Sequence, residues 1–314
     1  MSANQLRTTQ AWRLTKRLLA DPIRRSYARA TRGGRIPIAW LNVRNWGDAL
    51  NPALVELLAG RPAQLLQGYF YDRFLVVGSI LGTADSHAQV WGSGFIREGE
   101  QVLDAPRAIH AVRGPLTRGQ LLKAGIPCPE IYGDPALLLP HFFNPEVPIT
   151  HDVGLIPHVV DKQNSWIEEH RNTPGVRVID VEGDIWDFVR AVKSCRAVLS
   201  SSLHGLICAD AYGIPNAWIQ LSNGLIGGEF KFRDYRLSIG DGEPSALTAA
   251  YGPSPLELSL KTQRRTLRID LELLLKSCPF LADRRANHAA HSLPSRSQTK
   301  ALFVNPSGEI YGSE

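Results

Sequence analysis

The chain has no apolar run approaching the roughly eighteen residues of a membrane-spanning helix, which argues against a helical span. Its opening, MSANQLRTTQAWRLTKRLLA, lacks the continuous apolar segment of a secretory signal, so a cytoplasmic location is expected. Cysteine is scarce. Cys128, Cys195, Cys208 and Cys278 form no CxxC pair, which fits isolated thiols better than a disulfide framework or a zinc site. A GxxxxGK[ST] loop is absent, and Gly78, Gly82, Gly92 and Gly94 do not compose a GxGxxG fingerprint. His110, His141, His151 and His158 lack ligand spacing, so no metal site is inferred; a metal requirement stays open.

What is present describes a globular protein. With 314 residues and 44% hydrophobic content, the chain can build one large domain or two ordinary ones. The formal net charge of +5 is unevenly placed: residues 1–35 carry nine Lys or Arg against Asp21, and the rest of the chain is net negative. The body is therefore not a broadly cationic nucleic-acid binder, and no zinc finger, RNP sequence or KH loop accompanies the basic arm. Two readings of residues 1–35 stand. The arm is either solvated, or it lies on anionic lipid through its basic residues and Trp12, Leu14, Leu18 and Leu19.

From Ile36 onward, short apolar segments alternate with amphipathic ones. IPIAWLN (36–42), RFLVVGSIL (73–81) and AIHAVRG (108–114) read as strands, and helices are expected after Asn51-Pro52 and after Pro115. The second half repeats the rhythm with strands at 152–158, 176–180, 197–201 and 216–221. Its helices are a segment capped by Asp184 and LHGLICADAYG (203–213). This alternation predicts parallel α/β layers. The expected organisation is a basic arm (1–35), one α/β domain (36–145), a second (146–245), a C-terminal helical segment (246–282) and a polar tail (283–314).

Three places offer chemistry. Ser200, Ser201 and Ser202 precede His204 where a strand meets a helix, so hydroxyls and first-turn N–H groups there suit an anion beside a proton-exchanging imidazole. A serine cap followed by a packed histidine reads the same residues without function. Arg113 ends a strand, where open α/β folds face their ligand crevice, and can pair with carboxylate or phosphate. Arg118 and Lys231 are further anion contacts or solvated surface charges. In the loop after the first strand, Arg44, Asn45 and Asp48 can hold sugar hydroxyls and Trp46 can cover a sugar face, or Asn45 and Asp48 merely cap a helix.

In their order, NWGDALN, VVGSIL, WGSGF, AVRGPLTR, IYGDPALLLP, SSLHGLICADAYGIP and FKFRDY resemble the polysaccharide pyruvyl transferase family over about residues 36–240. The resemblance implies two Rossmann-like domains in a GT-B-like arrangement, with the reaction in the cleft between them. It implies phosphoenolpyruvate as donor and pyruvate attached as a cyclic ketal to two hydroxyls of one sugar, with release of phosphate. The acceptor implied is a lipid-linked oligosaccharide of exopolysaccharide synthesis, and no redox cofactor is required. The family's donor-binding and catalytic arginine and histidine match Arg113 and His204. Some relatives carry an arginine two positions before the histidine; here Ser202 stands there, leaving Arg118, Lys231 or the serine-rich helix start to complete the donor contacts. The competing readings are a nucleotide-sugar glycosyltransferase of the same architecture and a noncatalytic polysaccharide-binding protein.

Overall fold

In the computed structural model, residues 33–41, 45–66, 71–222, 227–242, 245–249 and 252–281 are described. The arm up to residue 32, Arg44 and the tail from residue 282 lie outside them. Among the described residues, ten short strands, most of them rich in β-branched and other apolar residues, form two parallel sheets. The first contains β1 (Ile36–Ala39), β2 (Ala63–Leu65), β3 (Arg73–Leu75), β4 (Ala88–Trp91) and β5 (Ala108–Ala111) in the order β2-β1-β3-β4-β5. The second contains β6 (His151–Ile156), β7 (Val176–Val178), β8 (Cys195–Ser200), β9 (Asn216–Gln220) and β10 (Leu247–Thr248) in the order β10-β9-β8-β6-β7. Every pairing within these sheets is parallel. Each half therefore repeats one topology, with its strand order reversing between the first and third strands.

That reversal matters because ligands of open α/β sheets bind beyond the strand C-termini where the order switches. The two switch points are β1/β3 and β6/β8. Helix α1 (Trp46–Ala59) follows β1, and α2 (Pro115–Lys123) follows β5. In the second half come α3 (Ser165–His170), α4 (Ile185–Lys193), α5 (Leu203–Ala211) and α6 (Phe230–Ser238). As expected from sequence, Asp184 caps α4, accepting from the N–H groups of Trp186 and Asp187. The strand β10 lies beyond residue 245, so the second sheet draws on the segment read as helical.

Helix α1 shows how sequence sets the switch-point geometry. Asn45 caps it, and Gly60 ends it in the left-handed conformation. Pro52 inside the helix has no N–H for the carbonyl of Asp48. The Asn51 amide supplies the missing donor, bonding the carbonyls of Asp48 and Gly47, each at 3.2 Å. The same amide donates to the Val77 carbonyl at 3.1 Å and accepts from the Val77 N–H at 2.9 Å. Asn51-Pro52 thus fastens the start of α1 to the segment leaving β3.

Contacts between the halves are buried. Trp46 is fully enclosed, donates to the Ile185 carbonyl at 3.0 Å and stacks on Phe188. Arg113, at the end of β5, pairs with Asp234 of α6 at 3.0 Å, and their side chains are 1% and 0% exposed. Asp234 also accepts from the Thr117 N–H at 2.8 Å and from its hydroxyl at 2.7 Å. The C-terminal segment, with α7 (Pro255–Ser259) and α8 (Leu271–Lys276), returns to the first sheet, where Trp91 donates to the Leu274 carbonyl. All four cysteines are buried and unpaired. Among the described residues no helix is long and apolar enough to cross a membrane.

Removing one member of a buried ion pair strands the other charge, at a cost of about 3–5 kcal/mol. Asp234→Ala is expected to destabilise the protein by about that much in urea unfolding. Glu168→Ala, which breaks an exposed and solvent-screened pair with Arg171, should leave the urea midpoint almost unchanged.

Candidate active site

Both switch points deliver polar side chains to one cluster. From the first come Asp48, in the first turn of α1, and Ser79 after β3. From the second come His158 and Asp161 after β6, and Ser201, Ser202 and His204 at the β8–α5 junction. Arg113 and Asp134 enter from segments following β5, and Lys231 from α6.

The first turn of α1 rests on His204. A methyl group at Gly47 would overlap the imidazole at Cε1, Nε2 and Cδ2, so only glycine lets the two elements meet this closely. His204 Nε2 is buried without a hydrogen-bond partner. Burial, then the charges of Lys231, Arg113 and His158, push the His204 pKa down to about 3, so its imidazole is neutral at physiological pH. It lies in the first turn of α5, where helix N–H groups lack intrahelical acceptors; its N-cap, Ser202, makes no side-chain capping bond.

Lys231 is 7% exposed, and its ammonium forms no hydrogen bond or ion pair with the described residues; it stands over the Phe232 ring, 5.5 Å from the centroid. Burial and the Arg113 charge lower its pKa to about 8, partly opposed by Asp161 and Asp48. Asp161 is itself committed, accepting from Ser201 at 2.7 Å and from Ser222. His158 Nδ1 accepts from the Val160 N–H at 3.3 Å, which places its proton on Nε2. Its pKa is also lowered, by burial and then by Lys231.

Two carboxyls oppose these groups. Asp48 is 5% exposed; its Oδ1 lies 3.6 Å from where a Gly78 Cβ would stand, and the Leu41 N–H bonds its carboxyl. Burial, and secondarily the nearby Asp134, raise its pKa to about 7. Asp134 is fully buried, with Oδ1 accepting from the Ala136 N–H and Oδ2 lacking a partner. Burial raises its pKa to about 6, against lowering by that N–H and by Arg113.

The remaining residues singled out from sequence divide. The Arg113 guanidinium is engaged with Asp234, with the Ser79 hydroxyl at 2.6 Å and with the Phe95 carbonyl at 2.5 Å, leaving two of its five N–H groups uncommitted. Ser200 fastens the strand–helix turn, donating to the Ile156 and Ser202 carbonyls and accepting from the Ser202 N–H. Arg118 bonds the Cys128 carbonyl and faces Glu130, so it joins the Cys128–Tyr132 segment and not the cluster. Trp46 is a core side chain and presents no face to a sugar. Asn45 is the cap of α1, whereas Asp48 reaches back to Leu41. Arg44 lies outside the described residues. Sequence reasoning missed Asp134, His158, Asp161 and Ser79. The GDP of IYGDPALLLP and the end of DVGLIPH, each following a strand, were the signals that could have found the first two. Among the described residues, no group of three or more His, Cys, Asp or Glu is arranged to hold a metal.

The Asp48 carboxyl generates a pH-dependent stability. Its folded pKa of about 7 lies well above the ordinary carboxylate value, so the native state binds more protons between the two and loses stability as pH rises through that range. Asp48→Asn escapes this loss. In the ligand-free protein it should add about 2–4 kcal/mol at pH 8 and less at pH 5, read from unfolding midpoints. An equal gain at both pH values would contradict the assignment.

A family model described as polysaccharide pyruvyl transferase matches residues 90–223, which include Arg113, Asp134, His158 and His204. The chain is 31% identical over 207 residues to uncharacterized protein L143 of Acanthamoeba polyphaga mimivirus, covering 61% of this chain and 69% of that one. It is 30% identical over 211 residues to the succinoglycan biosynthesis protein ExoV of Rhizobium meliloti (strain 1021), covering 62% of each chain. A crystal structure of a functionally uncharacterized protein from Klebsiella pneumoniae aligns with 12% identity and a TM-score of 0.41, over 74% of this chain and 97% of that one. The chain belongs to the polysaccharide pyruvyl transferase family.

Proposed function

We propose that this protein transfers pyruvate from phosphoenolpyruvate, as a cyclic ketal, to two hydroxyls of a sugar in a lipid-linked exopolysaccharide precursor. The observation that carries the reading is a buried ammonium, Lys231, together with the buried and unpartnered Nε2 of His204, beside the free N–H groups of α5. Buried cations and helix N-termini left without acceptors are suited to an anion. Phosphoenolpyruvate brings a carboxylate and a phosphate on one small frame. In this reading the two halves form a GT-B-like cleft, and the basic arm holds the protein near the inner face of the membrane.

Lys231 and the first turn of α5 hold the donor's charges, and Arg113 adds field and its two uncommitted N–H groups. The bound anion reverses the field at His204, favouring the imidazolium. His204 then protonates C3 of the enol, making C2 electrophilic toward a sugar hydroxyl. Loss of phosphate lets the second hydroxyl close the ketal.

With phosphoenolpyruvate and lipid-linked oligosaccharides, the expected products are inorganic phosphate and an oligosaccharide heavier by one pyruvate ketal, seen by mass spectrometry. Turnover of a nucleotide sugar instead, or binding of sugar without donor turnover, would overturn the reading. His204→Asn should lower kcat about 10²–10⁴-fold. Lys231→Ala should act first on KM for the donor.

Donor binding should also draw in protons at pH 7, because the anion raises the His204 pKa. Calorimetry in buffers of different ionisation enthalpy measures this uptake. It should be smaller in His204→Asn, and equal uptake in both proteins would remove His204 from the acid role.

A further inference from the structure

Two carboxyls at this site have no part in holding an anionic donor, and their burial beside it requires a reason. Asp48 and Asp134 come from different segments and converge where the first switch point meets α5 and α6. Asp48 follows Gly47, whose backbone lies against His204, and its Oδ1 approaches Gly78. Asp134 is fully buried with Oδ2 unpartnered, and its other oxygen anchors the turn beginning at Pro135. A helix-capping role does not account for Asp48, because Asn45 caps α1. Ion pairing does not account for it either, because no salt bridge to Asp48 occurs among the described residues, and Lys231 acts on it only through space.

We propose that Asp48 is the base that takes the proton of the attacking sugar hydroxyl, and that Asp134 is the positioning residue holding Asp48 ready for it. This assignment rests on the donor reading given above. In the first stage the acceptor O–H breaks toward Asp48 and the oxygen bonds to C2. The C2–C3 π electrons take the proton of the His204 imidazolium, giving a tetrahedral centre that still carries phosphate. In the second stage the C2–O bond to phosphate breaks, and the phosphate leaves with its electron pair and the proton held by Asp48. The second hydroxyl bonds to C2 and gives its proton to His204. The imidazolium and the carboxylate are both restored. Of the two hydroxyl protons, one is balanced by the new C3–H bond and the other by the protonated phosphate.

The groups facing Asp48 are Asp134 after β5, Lys231 on α6, His204 beyond Gly47 on α5, and the Leu41 N–H after β1. A carboxyl enclosed in this way titrates near neutrality, the range in which a general base works best at cellular pH. Asp134 contributes by keeping negative charge close by, which raises the proton affinity of Asp48.

The test compares the full-length wild type, Asp48→Asn and Asp134→Asn, measuring phosphoenolpyruvate binding by calorimetry and ketal formation on lipid-linked oligosaccharides across pH. Asp48→Asn is expected to bind the donor within about threefold of wild type and to lose about 10²–10⁴ in kcat. In Asp134→Asn the ascending limb of the kcat profile should move to lower pH, a change that loosened packing alone would not produce. Retention by Asp48→Asn of a tenth or more of wild-type kcat, or an unmoved limb in Asp134→Asn, would overturn the proposal while leaving the donor reading intact. A wild type that neither binds phosphoenolpyruvate nor forms a ketal would overturn the donor reading and this assignment with it. Carbon-13 NMR of labelled aspartate carboxyls needs no turnover. It should show the Asp48 titration shifted downward in Asp134→Asn, and independent titration of the two groups would count against the pairing.

Discussion

The ion pair between Arg113 and Asp234 is the constraint on which the geometry of the site depends. Neither side chain has access to water, so each charge is stabilised by the other and by the Ser79, Phe95 and Thr117 partners around them. The closeness is built into the backbone. A side chain at Gly94 would overlap the Arg113 guanidinium, and one at Gly114 would overlap the Asp234 backbone. The pair fixes α6 against the start of α2, and α6 carries Lys231 three residues before Asp234. One buried contact therefore ties the halves together and sets the position of the ammonium at the site. Buried pairs of this kind contribute less to net stability than to defining a geometry, because desolvation offsets much of their attraction.

Much of this organisation was legible in the sequence, for reasons that can be assigned. Strands such as those around Ile36, Leu155 and Leu199 are buried on both faces, and continuous apolar runs announce them. Asp184 and the glycine after α1 mark helix ends through local chemistry alone. Helix α6 was the least legible element. FKFRDYRLS has little apolar periodicity, so an anion contact at Lys231 and a solvated turn read equally well from sequence, whereas in the fold Lys231, Asp234, Tyr235 and Arg236 all point inward. Their burial is made tolerable by partners distant in sequence: Arg113 for Asp234, and Asp210 with Asn216 for Arg236. No window of sequence contains such partners, so local polarity misleads in that segment.

The same limit explains the divided outcome in the NWGD loop. Tryptophan beside amides and a carboxylate suits a sugar platform, but Trp46 is used to pack the halves, with its N–H satisfied by Ile185. A buried indole needs one acceptor and a large apolar surround, and the first turn of α4 provides both. Two positions later, the carboxyl of Asp48 is equally buried but has only the Leu41 N–H. Adjacent residues of one motif thus divide between cohesion and chemistry, and burial alone does not separate them. Within this cluster, satisfaction of polar atoms does.

That criterion extends to the whole cluster. Structural polar groups here are saturated: Ser200, Asp161, Asp210 and Asn216 each hold two or more bonds. Lys231, the Nε2 of His204 and the Oδ2 of Asp134 have none among the described residues. Buried polar groups without partners are costly, and in a native fold they require an explanation outside packing. They also divide by origin, since the unsatisfied bases come from the second half and the raised carboxyls from the first. Neither half alone places an anion-binding ammonium and imidazole opposite a proton-accepting carboxylate. A repeated topology with two switch points brings them together, and the cost of leaving these groups unsatisfied is borne because they are free to act on a substrate.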